Sequence, residues 1–220
     1  VYQSSTSRSP LMSPSMSPSI NPQMSNMNPS MLKLDNTLPN VSFTLNAETL
    51  ETAALNKTFP VPSDAVADKV HFLVNNLSTA NLDQKAKEIK AKVTGEYYPW
   101  FSNYMVVKRV AQEPNFHQLY LSLLEMLRSK ELNASLIQTT IQYVKILIKS
   151  DRIKTQSSDR SLLKNLGSWL GKMTIARDKP VLQKDLDLKK VILEAYEKGK
   201  MIAVIPFVHK VLEPCLSTKV

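Results

Sequence analysis

The chain has 220 residues and carries 28 Lys and Arg against 19 Asp and Glu, a formal charge of +9. Its single cysteine, Cys215, excludes a disulfide framework or a cysteine-based zinc cage and suits a reducing compartment. No apolar run approaches the roughly 18 residues needed to span a bilayer, and no basic-then-apolar leader opens the chain. It begins at Val1 rather than Met and reads as a piece of something longer.

Composition changes sharply along the chain. Residues 1–60 hold three basic and three acidic side chains, whereas residues 61–220 hold 25 and 16 and so carry the whole +9. One uniform domain is excluded, and the second part is long enough to bury a core of ordinary size. Residues 1–30 contain ten Ser, five Pro, four Met and three Asn. Such a stretch buries too little apolar surface to offset the entropy of ordering it, and it is predicted to be disordered. Its Ser9-Pro10, Ser13-Pro14 and Ser17-Pro18 pairs suit proline-directed kinases or a plain Ser/Pro linker. Residues 32–60 alternate weakly and are interrupted by Pro39 and Pro60. Leu50, Ala53 and Ala54 fit one helical turn within a linker that partly docks on the rest of the chain. The expected division is a disordered or linker segment at 1–60 and a helical domain at 61–220.

From Ser63 the apolar pattern takes a helical period. Ser63-Asp64 signals an N-cap, and Val66, Val70, Leu73, Val74 and Leu77 form one stripe. Leu82, Ala86, Ile89 and Val93 form the second, stopped by Gly95. Trp100, Phe101, Tyr104, Val107 and Ala111 form the third, between Pro99 and Pro114. Phe116, Leu119, Tyr120, Leu123, Leu124 and Leu127 form the fourth, and Ile137, Ile141, Val144 and Ile148 the fifth. Ser158-Asp159 caps the sixth, which runs through Leu162, Leu163, Leu166, Trp169, Leu170 and Met173. Asp185 or Asp187 starts the seventh, which ends at Gly199, and Pro206 is expected early in an eighth. No segment after Pro62 reads as a strand. Helices begin about every 20 residues, so helix pairs recur at about 40, the period of HEAT or armadillo repeats. The predicted class is an all-α, HEAT-type solenoid of antiparallel helix pairs, with a compact bundle as the alternative. Solenoids present long ridged surfaces that bind proteins.

Catalytic patterns do not emerge. His71, His117 and His209 stand alone, without a second ligand at metal spacing on the same face. The four glycines, Gly95, Gly167, Gly171 and Gly199, make no phosphate loop. Gly167 and Gly171 lie mid-helix beside Trp169, where small residues let a neighbouring helix approach. Asp185 and Asp187 sit where a helix N-terminus favours negative charge. The chain is therefore read as non-enzymatic, with no cofactor and no metal. Its basic clusters, Lys85, Lys87, Lys90 and Lys92, then Arg152, Lys154, Arg160 and Lys164, have three readings: solvated helix faces, an acidic protein partner, or RNA phosphates. The aromatics follow the apolar stripes rather than the charges, so stacking platforms for single strands are missing.

Two stretches carry a resemblance. One runs from Pro99-Trp100-Phe101 to Val106-Val107-Lys108-Arg109-Val110 and on through Glu113-Pro114-Asn115-Phe116-His117-Gln118-Leu119-Tyr120. The other is Ser158-Asp159-Arg160-Ser161-Leu162-Leu163-Lys164-Asn165-Leu166-Gly167-Ser168-Trp169-Leu170-Gly171. Over about residues 62–216 the chain resembles the central domain of the scaffold subunit of the Ccr–Not mRNA deadenylase complex. That domain belongs to the HEAT class named for the middle domain of translation initiation factor 4G. The resemblance implies a non-catalytic scaffold that docks the DEDD-type deadenylase subunit, and through it a second exonuclease-type deadenylase. It also implies docking of a DEAD-box helicase. The family continues past Val220, so the last helices are expected to be missing and the helicase surface incomplete. The implied roles are poly(A) shortening, mRNA decay and translational repression. The implied location is cytoplasmic, mRNA-decay granules included, with the nucleus as a further compartment. No membrane partner is implied. The alternative is an RNA-binding helical module that uses the basic surface.

Eight residues are the expected partner contacts. Lys108, Arg109, Phe116 and His117 flank the turn between the third and fourth helices. Asp159 and Arg160 open the sixth helix, with Lys164 and Asn165 on its polar side. Asp159 reads equally as an N-cap, and Trp100 and Trp169 read as core.

Overall fold

The computed structural model describes residues 48–55 and 58–216. The Ser/Pro/Met-rich stretch expected to be disordered lies outside them. The described residues form nine α-helices and no strand. These are α1 (Glu48–Leu55), α2 (Asp64–Asn75), α3 (Leu82–Lys92), α4 (Tyr98–Tyr104), α5 (His117–Leu127), α6 (Lys130–Lys149), α7 (Ser157–Met173), α8 (Leu188–Glu197) and α9 (Met201–Leu212). Each of the eight expected stripes yields a helix, α2 to α9.

Contacts alternate between the next helix and the next but one. Helices α2 and α3, α6 and α7, and α8 and α9 pack as neighbours, while α3 meets α5, α4 meets α6 and α7 meets α9. This alternation makes an all-α solenoid of stacked antiparallel pairs. Each stripe delivers its large side chains to one continuous core, with Phe101, Tyr120, Tyr143, Trp169 and Phe207 fully buried. Burial of that apolar area is the main driving force for the fold.

The structure departs from the sequence expectation at three elements. Helix α4 starts at Tyr98 with Pro99 in its first turn, then widens into a π-helical turn over Met105–Val110. The Ala111 amide donates five residues back, to the Val106 carbonyl, at 3.0 Å. The wide turn buries Met105, Val106, Val107, Val110 and Ala111 together, which a regular 3.6-residue period does not do. Pro206 is not an early helix residue: it lies inside α9, five residues after Met201. It has no amide to bond the Ile202 carbonyl, and both residues are exposed, so the missing donor falls on the solvent side of α9. Helix α1 exceeds the single turn expected around Leu50, and Leu50 is wholly buried.

A buried lysine closes the end of α6. Lys200 is only 5% exposed, and its ammonium donates to the carbonyls of Ile148, Lys149 and Ser150 at 3.0, 2.9 and 3.2 Å. Asp151 lies 3.3 Å from the same nitrogen. The last carbonyls of a helix have no partner within the helix, and a cation there also meets the negative end of its dipole. Lys200→Met should cost about 2 kcal/mol, because charged hydrogen bonds are lost and the carbonyls stay covered. A lower urea midpoint with an unchanged m-value is the expected result.

Candidate partner-docking surface

The eight sequence-predicted contacts separate into two groups in the fold. Lys108, Phe116, Arg160 and Lys164 reach solvent wholly or in part, and Arg109 only slightly. His117, Asp159 and Asn165 are buried, so they are corrected from partner contacts to internal supports.

Two of the buried three serve the π turn. A widened turn leaves carbonyls that the regular helical ladder does not reach, and buried carbonyls need donors. Gln112 Nε2 donates to the Val107 carbonyl at 3.0 Å, and His117 Nε2 to the Val110 carbonyl at 2.8 Å. Asn165 Nδ2 donates to the Ala111 carbonyl at 2.8 Å and so ties α7 to the same turn. Asn165 therefore lies on the inner side of α7, not on its polar side with Lys164.

Asp159 is not the cap of α7 either. The cap position belongs to Gln156, and Asp159 is the third residue of the helix. Its Oδ2 accepts from Thr49 Oγ1 at 3.0 Å and from Arg152 Nε at 3.4 Å. Arg160 bends back to the carbonyls of Ile153 and Lys154 at 3.2 and 3.1 Å and fixes the turn before α7. Lys108 pairs with Glu51 of α1 at 2.8 Å. Arg109 pairs with Glu113 at 3.1 Å, and the Tyr120 hydroxyl donates to the same carboxylate. Phe116 remains 50% exposed at the turn before α5, with its ring 6.3 Å from that of Tyr120.

His117 has a pH consequence. Its ring is buried edge-on to Trp169, with centroids 5.3 Å apart. Nε2 meets a carbonyl and so carries the proton, while buried Nδ1 has no partner. Burial pushes its pKa down to about 4. The unfolded ring titrates near 6.5, so below that pH the unfolded state binds a proton that the native state refuses. The stability this costs is absent above about pH 6.5 and grows as pH falls to about 4, reaching roughly 3 kcal/mol. Melting curves from pH 7 to 4.5 should therefore fall less steeply for His117→Gln than for the original chain.

Sequence reasoning missed an apolar surface. Leu193 and Tyr196 of α8, and Ile202 and Ile205 of α9, are exposed, Tyr196 by 75%. A signal exists: residues 201–208 are nonpolar without interruption, which exceeds one buried stripe. A groove of about 710 Å³ lies between the end of α6 and α8, lined by Lys145, Lys149, Lys184 and Lys190 together with Asp185, Asp187 and Glu194. Among the described residues no group of three or more His, Cys, Asp or Glu could hold a metal ion, and no helix is long and apolar enough to cross a membrane.

Residues 58–220 match the family model of the CCR4-NOT transcription complex subunit 1 CAF1-binding domain. The chain belongs to that family. It is 42% identical over 165 residues to the CCR4-NOT transcription complex subunit let-711 of Caenorhabditis elegans, covering 71% of this chain and 6% of that protein. It is 39% identical over 155 residues to the general negative regulator of transcription subunit 1 of Schizosaccharomyces pombe, covering 70% of this chain and 7% of that protein. The Saccharomyces cerevisiae protein of the same name is 36% identical over 159 residues, covering 72% and 7%. The chain thus spans 6–7% of the length of these relatives. The matched segment contains α2 to α9 and begins after α1.

Proposed function

We propose that the chain is a non-catalytic scaffold that docks the CAF1 deadenylase, an enzyme of the DEDD type, within the CCR4-NOT complex. The observation that carries this reading is the match of residues 58–220, the whole body from α2 onward, to a CAF1-binding domain. Through that nuclease the scaffold carries a second deadenylase, and it docks a DEAD-box helicase beside it. Its actions are poly(A) shortening, mRNA decay and translational repression in the cytoplasm. Residues 61–220 form the docking body. Phe116 and Lys164 are its assigned contacts among the sequence-predicted residues, because Phe116 is a half-exposed aromatic at the turn before α5 and Lys164 is exposed on α7, and interface anchors draw on exposed aromatic side chains.

The purified chain should form a stable complex with a DEDD deadenylase and leave poly(A) untouched by itself. Phe116→Ala should weaken that complex about tenfold, the effect of a modest interface anchor, with the melting temperature unchanged. Turnover of poly(A) by the nuclease-free chain would sink the scaffold reading. Loss of stability in Phe116→Ala without loss of binding would sink the assigned contact.

The RNA-binding alternative finds less support. Lys87, Lys154, Arg109 and Arg152 each lie beside a carboxylate, and Trp100, Trp169, Tyr120 and Tyr143 are in the core. RNA affinity that is tight at ~0.15 M salt and falls steeply above it would favour that alternative.

A further inference from the structure

Helix α1 precedes the family-matched segment, yet it is seated on α6 and the π turn. Leu50 is its anchor and is wholly buried. On one side of Leu50, Thr49 Oγ1 donates to buried Asp159 at 3.0 Å; on the other, Glu51 accepts from Lys108 at 2.8 Å. Three successive residues thus present a hydroxyl, an apolar plug and a carboxylate to three matching positions on the body.

The fit is incomplete in four respects. Helix α1 has eight residues, fewer than the roughly 12–15 at which an isolated helix becomes even marginally stable, so its helicity derives from the seat. Its ion pair is about half exposed on both sides, 52% and 46%, where salt screens it. Beside α1 an open groove of about 260 Å³ remains, lined by Glu51, Ala54, Asn103, Tyr104, Val107 and Lys108. Asp159 adds a chemical demand that α1 does not meet: its Oδ1 is buried and has no hydrogen-bond partner.

We propose that this seat is a docking groove for a short amphipathic helix of a partner protein, and that α1 is its competitor in cis, covering the groove until displaced. The partner helix is defined by the groove. It carries a side-chain donor toward Asp159, such as Thr or Asn, then Leu, then an acidic residue opposite Lys108. Four residues after that Leu it carries an apolar side chain larger than Ala54, which fills the open space. The inference does not rest on the deadenylase reading, since it is argued from the contacts that α1, outside the family-matched segment, makes with the body.

The test uses the full chain and a labelled synthetic peptide of residues 46–57. In the Leu50→Asp chain, α1 cannot seat, because burying an unpaired carboxylate is strongly unfavourable. The peptide should bind that chain at least tenfold more tightly than the original chain, whose groove is occupied. Ala54→Leu in the peptide should tighten binding several-fold. Lys108→Glu in the Leu50→Asp chain should weaken it about fivefold, the scale of an exposed pair. Equal binding to both chains overturns the proposal, as does no binding to a Leu50→Asp chain that circular dichroism shows to be folded. Should Leu50→Asp fail to fold, Thr49→Asp sets a second carboxylate against Asp159 and serves instead. Hydrogen exchange on the original chain decides independently. The α1 amides should exchange at least a hundredfold faster than those of α7, and exchange of both at one common rate would make α1 an inseparable part of the core.

Discussion

Trp169→Ala is expected to lower the melting temperature by roughly 6–20 °C and to weaken every partner together. Trp169 is fully buried in α7 and meets the edge of His117, which itself supports the π turn. Truncating a buried Trp costs about 3–5 kcal/mol through lost burial and the cavity left behind. A domain of this size loses about 2–4 °C per kcal/mol, and its whole stability is only about 5–15 kcal/mol. The indole Nε1 is buried without a hydrogen-bond partner, so the ring and not its N–H supplies the stability. Trp169→Phe keeps most of the ring and removes that orphaned donor, and it should recover much of the loss. Differential scanning fluorimetry of both variants, beside Lys164→Glu as an exposed control, checks the result. A Trp169→Ala chain that melts like the original but loses one partner would mean that Trp169 faces outward.

Helices α2 to α9 were legible because each must bury one face, and that requirement writes a 3.6-residue stripe into the sequence. Trp100 and Trp169 were legible as core for the same reason. The polar residues misled because residue type was equated with exposure. Asn165 and His117 are buried for their donors, which the carbonyls of Ala111 and Val110 require once the turn widens. No residue pattern announces a π turn, so nothing in the sequence asks for those donors. Asp159 follows the same logic at longer range, since its partner Thr49 lies 110 residues away. Helix α1 was half legible: Leu50, Ala53 and Ala54 suggested a docked turn, but eight residues are too few to carry a clear period. Pro206 was placed by the usual rule for helix starts, and exposure of its face of α9 is what lets it stand inside the helix.

Gly171→Ala tests the close approach of α7 to α9 and sets two principles against each other. By helix propensity, alanine should stabilise α7 by about 0.8–1 kcal/mol. By geometry it cannot fit, because a Cβ on Gly171 would lie 2.5 Å from the Val211 carbonyl oxygen and 3.1 Å from that of Lys210. Both are backbone atoms of α9, so no rotamer change relieves the overlap. Gly167 makes the same approach to Phe207, whose carbonyl oxygen would stand 2.8 Å from an added Cβ. Together these glycines set the distance between α7 and α9, and with it the burial of Phe207 and Val211. Overpacking of this kind costs about 1–3 kcal/mol, and retreat of α9 adds the packing lost along the interface. The steric cost exceeds the propensity gain, and Gly171→Ala should destabilise the chain by about 2 kcal/mol or more, with faster hydrogen exchange concentrated in α9. Gly95→Ala is the control: nothing lies within 4 Å of an added Cβ there, so that variant should melt at or slightly above the original temperature. A Gly171→Ala chain that melts higher than the original would show that propensity wins and that α9 does not sit at this distance from α7.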